Sequence, residues 1–202
     1  MGRLRKQIED AGYPTWSETY PSRAQPIDVL AHELAENIRT NVPEGPLLAV
    51  THSMGGILVR FMSGLLPWQR VVMLAPPNAG SIVALRMSLN PLFRWWFGPA
   101  GQELGDDTLW PAPPQPFGVI AGTLGPSIGN VPSWVVGSIL PKDEDNDGTL
   151  TVSETKCDGM ADFAAVRASH TWIMDHEETA PNVLGFFADG RFPQPSSLAT
   201  AP

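Results

Sequence analysis

The chain holds a single cysteine, Cys157, so no disulfide can form within it, and the expectation is a buried or half-buried thiol. It has no apolar run of about 18 residues, which excludes a transmembrane helix. The first 20 residues carry basic side chains but no apolar stretch, so no signal peptide is visible and a cytoplasmic location is expected. Positive charge is scarce: 13 Lys and Arg against 21 Asp and Glu leave a net charge of −8. Such a field does not favour nucleic acid or an anionic membrane, and it suits neutral or cationic small substrates. Histidines number only four, which shortens any search for a general base. Proline (21) and glycine (19) are plentiful, but seven tryptophans among them argue for tight turns around a core rather than for disorder. A length of 202 residues allows one domain.

Hydrophobic period divides the chain into alternating elements. Leu4 and Ile8 lie at helical spacing and Gly12 ends that helix. Residues 13–19 alternate weakly and read as a strand, which Pro14 confines to a strand start or a sheet edge. Ile27, Leu30, Ala31, Leu34 and Ile38 mark an amphipathic helix over 27–41. Strands are expected at 46–50, 70–75, 117–121 and 162–167, with helices at 55–66 and about 176–187. This pattern predicts an α/β fold: a mostly parallel sheet of about five strands with helices on both faces, forming one domain over 1–190. Any ligand then lies at the carboxyl ends of the strands. Residues 191–202 read as a flexible tail. Residues 82–115 break the alternation, with Leu92, Phe93, Trp95, Trp96, Phe97, Leu109 and Trp110 among Gly and Pro. They read either as a helical insertion packed on the core or as a cap whose inner face, including Trp95 and Trp96, lines a pocket.

The chemistry centres on 46–56, Pro-Leu-Leu-Ala-Val-Thr-His-Ser-Met-Gly-Gly. A short apolar run, a sharp turn and a helix place Ser53 at an apex with its hydroxyl exposed. The position two before Ser53 is Thr51, where Gly would crowd the turn less. A serine hydroxyl needs a base, and the base needs a carboxylate to fix its tautomer. Of the histidines, His32 sits in a helix beside Glu33, His52 is turned away from Ser53, and His176 lies in an acidic run. His170 follows the last expected strand, where a base belongs in the chain order Ser, Asp, His. The loop before it offers Asp143, Glu144, Asp145 and Asp147 as acids. Its spacing, from Asp143 through Gly148 to Glu154, also matches a twelve-residue calcium loop. Pro141 and Lys142 prevent a helix from running into that loop, and 149–153 reads as extended.

Together, Thr51-His-Ser-Met-Gly-Gly56, Val72-Met-Leu-Ala-Pro-Pro-Asn-Ala-Gly-Ser81, Asn146-Asp-Gly-Thr149 and Ser169-His-Thr171 resemble the α/β-hydrolases of the lipase and esterase type, in that family's order. The resemblance implies a serine hydrolase of carboxylic esters with short to medium acyl chains. A lipase on longer chains and a catalytically impaired binding protein are the alternatives. It implies a catalytic triad of Ser53, Asp147 and His170, with Asp145 second to Asp147, an oxyanion donor in the Met54 N–H, and no cofactor or metal. The family takes its other oxyanion donor from beyond a His-Gly pair ending an earlier strand, and no such pair precedes residue 46. The fold is then a truncated form, with the segment around Ser22 expected to supply the donor. Strand 13–19 would close the gap by pairing with 46–50; otherwise a strand from a second copy fills it, making a homodimer.

Overall fold

Leu47–His52 (β1), Trp68–Leu74 (β2), Phe117–Gly122 (β3) and Asp162–Val166 (β4) form one sheet in the order β1-β2-β3-β4, every pairing parallel. The computed structural model describes residues 1–125 and 139–193, apart from the side chains of Leu92, Phe93, Arg94, Trp96 and Phe97. The tail expected at 191–202 lies outside the described residues from 194 onward.

Alternation along the strands sorts the core into two halves. Val72, Leu74 and Ile120 face one side, where they meet Leu4 and Ile8 of α1 (Gly2–Asp10) and Val183, Phe186 and Phe187 of α6 (Thr179–Asp189). Leu4 and Ile8 are one helical turn apart, and burying each is worth roughly 1.5–3 kcal/mol. Val71, Met73 and Val119 face the other side, against α2 (Ile27–Asn41) and α3 (Gly55–Phe61). Helix α2 has the expected bounds. It carries Asp28 in its first turn and Arg39 in its last, and it stops at an extended Val42, the conformation favoured before Pro43. Helix α3 ends earlier than the expected residue 66. The bonds from Ser63 N–H to Arg60 O and Leu65 N–H to Met62 O span three residues, so the chain tightens into turns around Gly64.

Residues 13–19 form no strand, so the expected mostly parallel sheet holds four strands among the described residues, without the one expected there. They do not pair with β1, whose only ladder among the described residues is to β2. Side chains hold the segment instead. Arg5 donates to Ser17, Thr15 bonds Glu9, and Asn37 donates to Glu18. With α1 on one face and α2 on the other, this stretch carries the chain across the sheet, where a ladder would have required it to lie along a neighbour.

The insertion is helical: α4 (Ile82–Met87) and α5 (Pro91–Glu103), the latter kinked at Gly98 and Pro99. Ala100 is buried in the α2–α3 cluster, and Leu104 and Trp110 pack against it. The Ile27 N–H, at the start of α2, donates to Glu103 Oε2 at 3.0 Å. Among the described residues no helix is long and apolar enough to cross a membrane.

Candidate active site

Because the strands are parallel, His52, Leu74, Gly122 and Val166 all end at one edge, and the loops beyond them converge there. Ser53 comes directly after β1 with φ 54, a backbone region that costs a residue with a side chain about 1–3 kcal/mol. The neighbouring strand holds it there, since the Ser53 N–H donates to Leu74 O at 2.9 Å. The Gly56 N–H donates to Ser53 O at 2.9 Å and α3 begins. Met54 is the N-cap of α3, so its N–H has no acceptor within the helix.

Asp147 sits in the connection from β3 to β4 and is 2% exposed. Its Oδ1 accepts from the Thr149 N–H (2.9 Å) and the Leu150 N–H (2.8 Å) in the turn through Gly148. That leaves Oδ2 for the His170 Nδ1, 2.7 Å away. The backbones are joined as well, His170 N–H donating to Asp147 O at 2.9 Å. His170 opens the 3₁₀ turn His170–Asp175 after β4, and its Nε2 lies 3.0 Å from Ser53 Oγ. An ionised carboxylate only accepts, so His170 donates from Nδ1 and the lone pair of Nε2 faces the serine hydroxyl. Ser53, Asp147 and His170 are therefore brought together in one chain of hydrogen bonds.

Other expected residues are placed elsewhere. Asp145 is exposed; its backbone O accepts from the Val152 N–H, and among the described residues no hydrogen bond links it to Ser53 or His170. Ser22 lies in a turn, its N–H donating to Tyr20 O at 2.8 Å, and no hydrogen bond links it to Ser53, Asp147 or His170 among the described residues. Trp95, on α5, is 73% exposed, and the Trp96 side chain lies outside the described set. The calcium spacing is not realised. Glu154, which would close such a loop, is buried and accepts from the Ile82 and Thr151 N–H groups. No group of three or more His, Cys, Asp or Glu side chains among the described residues is placed to hold a metal ion. Two hollows, of about 430 Å³ beside Arg60 and Trp110 and about 360 Å³ beside Tyr20 and Ser22, are not lined by Ser53, Asp147 or His170.

No protein-family model and no curated protein matches the sequence. Solved structures do match in shape. The mature form of a Bacillus licheniformis lipase superimposes with a TM-score of 0.62 at 17% identity, over 91% of this chain and 81% of the lipase. A metagenomic carboxyl esterase gives 0.65 at 20% identity, over 83% of this chain and 57% of the esterase. A phospholipase from Legionella pneumophila gives 0.54 at 20% identity, over 77% of this chain and 42% of the phospholipase. The fold is that of the α/β-hydrolases. Within it the chain spans little more than half of the esterase and less than half of the phospholipase.

In this α/β-hydrolase fold three contributors escape a reading of the sequence alone. The His52 Nε2 lies 2.8 Å from His170 O and the two rings are 4.9 Å apart. Strand parity is the one signal for it, since His52 shares a side with Leu48 and Val50, toward the α1–α6 face. Burial, then the proximity of His170, pushes the His52 imidazole down to about 4. Glu154 ties the Asp147 loop to the start of α4 through its two oxygens. At Gly122 the Asp147 side chain and the Ala168 backbone close on the end of β3, and a strand-terminal glycine is its only trace in the sequence.

Proposed function

We propose that the protein is a serine carboxylesterase acting on esters with short to medium acyl chains through an acyl-enzyme on Ser53. The observation that carries the reading is His170, bonded through Nδ1 to Asp147 and through Nε2 to Ser53. The Ser53 Oγ attacks the ester carbonyl carbon while its proton passes to His170 Nε2. Asp147 stabilises the imidazolium so formed. The carbonyl oxygen becomes an oxyanion, held by the Met54 N–H. The C–O bond to the alcohol then breaks, the proton moves from Nε2 to the leaving oxygen, and the acyl group stays on Ser53. Water, deprotonated by His170, releases the acid. None of these steps calls on a cofactor. The net charge of −8 favours a neutral ester over an anionic one.

The test is labelling with a fluorophosphonate, followed by peptide mapping and hydrolysis of p-nitrophenyl esters. Ser53 should carry the label, and Ser53→Ala should lower hydrolysis by about 10³-fold or more with the fold kept. A label on another serine, or unchanged hydrolysis in Ser53→Ala, overturns the proposal.

A second reading is a catalytically impaired protein that binds ester-like ligands. It draws on the segment around Ser22, the expected source of the second oxyanion donor, where the Ser22 N–H is already engaged by Tyr20 O. Labelling of Ser53 without measurable ester turnover is its signature.

A further inference from the structure

His170 has two backbone groups and two ring nitrogens, and each meets a partner. Its N–H donates to Asp147 O, Nδ1 to Asp147 Oδ2, and Nε2 faces Ser53 Oγ. Its carbonyl accepts from His52 Nε2 at 2.8 Å, across 118 residues of sequence. Three of the four contacts hold His170 to the acid or aim it at the nucleophile. The fourth ties its main chain to the last residue of β1, the residue covalently joined to Ser53. A carbonyl cannot donate, so Nε2 of His52 carries the proton and the ring is the N–H donor. The rings also pack, with centroids 4.9 Å apart and planes tilted by 45°.

We propose that His52 is a positioning residue for the base. Its Nε2–H, fixed to the nucleophile's own strand, sets the distance between the His170 ring and Ser53 by gripping the His170 carbonyl. This rests on the reading of Ser53, Asp147 and His170 as the reacting groups. Among the described residues the base loop has no ladder beyond Val166 and is held to the chain after β3 by the Leu124 N–H, which donates to Ala168 O at 3.1 Å, while the bond from His52 ties the His170 main chain to β1. Misplacement of a reacting group by about 1 Å can cost about 10²-fold in rate.

The experiment compares His52→Gln with His52→Met, which have nearly the same shape. Gln keeps an N–H donor near the place of Nε2, and Met does not. With p-nitrophenyl butyrate and rates normalised to folded protein, His52→Met should lower kcat by about 10–100-fold with KM within about twofold. His52→Gln should recover all but about threefold of that loss. Ser53→Ala runs alongside. If it stays active, the functional reading fails; if it is inactive while Gln and Met give equal kcat, only the role of His52 fails. Unfolding of both variants, or of Met alone, also overturns the proposal, because the bond is then a folding contact.

Discussion

Gly122 and Asp147 approach so closely that a Cβ on the glycine would lie 2.8 Å from the aspartate Cβ and 2.5 Å from Ala168 O. Ala168 is two residues before His170, so the missing side chain is what lets the acid and base loops close on the end of β3. Gly122→Ala should wedge the two loops apart. The expected outcome is a loss of about 10²-fold in kcat with little change in KM, and a stability loss of about 1–3 kcal/mol as in other overpacked sites. Steady-state kinetics and urea unfolding measure both, and a kcat at the wild-type level refutes the account.

Asp147→Asn should be far more damaging than Asp145→Asn. The Thr149 and Leu150 amides hold one oxygen of residue 147, so an asparagine would keep its carbonyl toward them and turn its NH₂ to His170. That NH₂ needs an acceptor at Nδ1, which leaves the proton on Nε2, where it blocks uptake of the serine proton. A fall in kcat of about 10⁴-fold is expected, against a change of less than about threefold for the exposed Asp145. The reverse ranking would move the acid to Asp145.

Glu154 joins two loops by accepting from the Ile82 and Thr151 N–H groups. Glu154→Ala leaves the buried Thr151 N–H and the half-buried Ile82 N–H without this acceptor, a cost of about 1–4 kcal/mol, and Glu154→Gln should cost less because one acceptor survives. Calcium and a chelator should each leave the melting temperature of the wild type unchanged. A chelator-induced drop would revive the calcium reading of this loop.

How much of this was legible before the structure differs by residue. Helix α2 and the four strands follow from local period and from end signals such as Pro43. Ser53 and His170 are recognisable from their places after strands, and Asp147 from its Asn-Asp-Gly-Thr setting through a family resemblance. Residues 13–19 misled because alternation describes a strand only when a neighbour exists to pair with it, and pairing is not local. The roles of His52, Gly122 and Glu154 depend on contacts with loops distant in sequence, and no spacing encodes them.

The state of His52 sets an acid limit on stability. Burial and the nearby His170 hold it at about 4, below the unfolded value near 6.5. Asp147 also faces it and pulls the other way, while the amino group of Met1 adds to the lowering. Above about pH 6.5 the ring is neutral in both states and nothing is lost. As pH falls from there toward 4 the unfolded chain takes up the proton first, so stability declines with pH, by about 3 kcal/mol in all. Urea midpoints at pH 7, 5 and 4 should follow this slope in the wild type, and His52→Gln should flatten it. Equal slopes would assign the acid sensitivity to other groups.

Two of the three tryptophans of the insertion, Trp95 and Trp110, have opposite settings. Trp110 packs on the α2–α3 core, with the Arg60 guanidinium 5.4 Å from its ring centroid. Arg60 in turn donates to Pro111 O at 2.7 Å and Asn78 O at 2.9 Å, anchoring the insertion's exit to the loop after β2. Trp110→Ala therefore removes both packing and a cation partner, and should cost about 2–4 kcal/mol. Trp95 is 73% exposed, and Trp95→Ala should change stability by no more than about 0.5 kcal/mol. A pocket wall contributes a preference among chain lengths, because each methylene it contacts is worth about 1–3 kcal/mol. If α5 forms such a wall, Trp95→Ala should shift the ratio of kcat/KM for octanoyl and butyryl esters by about tenfold or more while keeping the butyryl rate. Equal changes at both lengths would remove Trp95 from the pocket and leave the insertion a packing element anchored by Trp110.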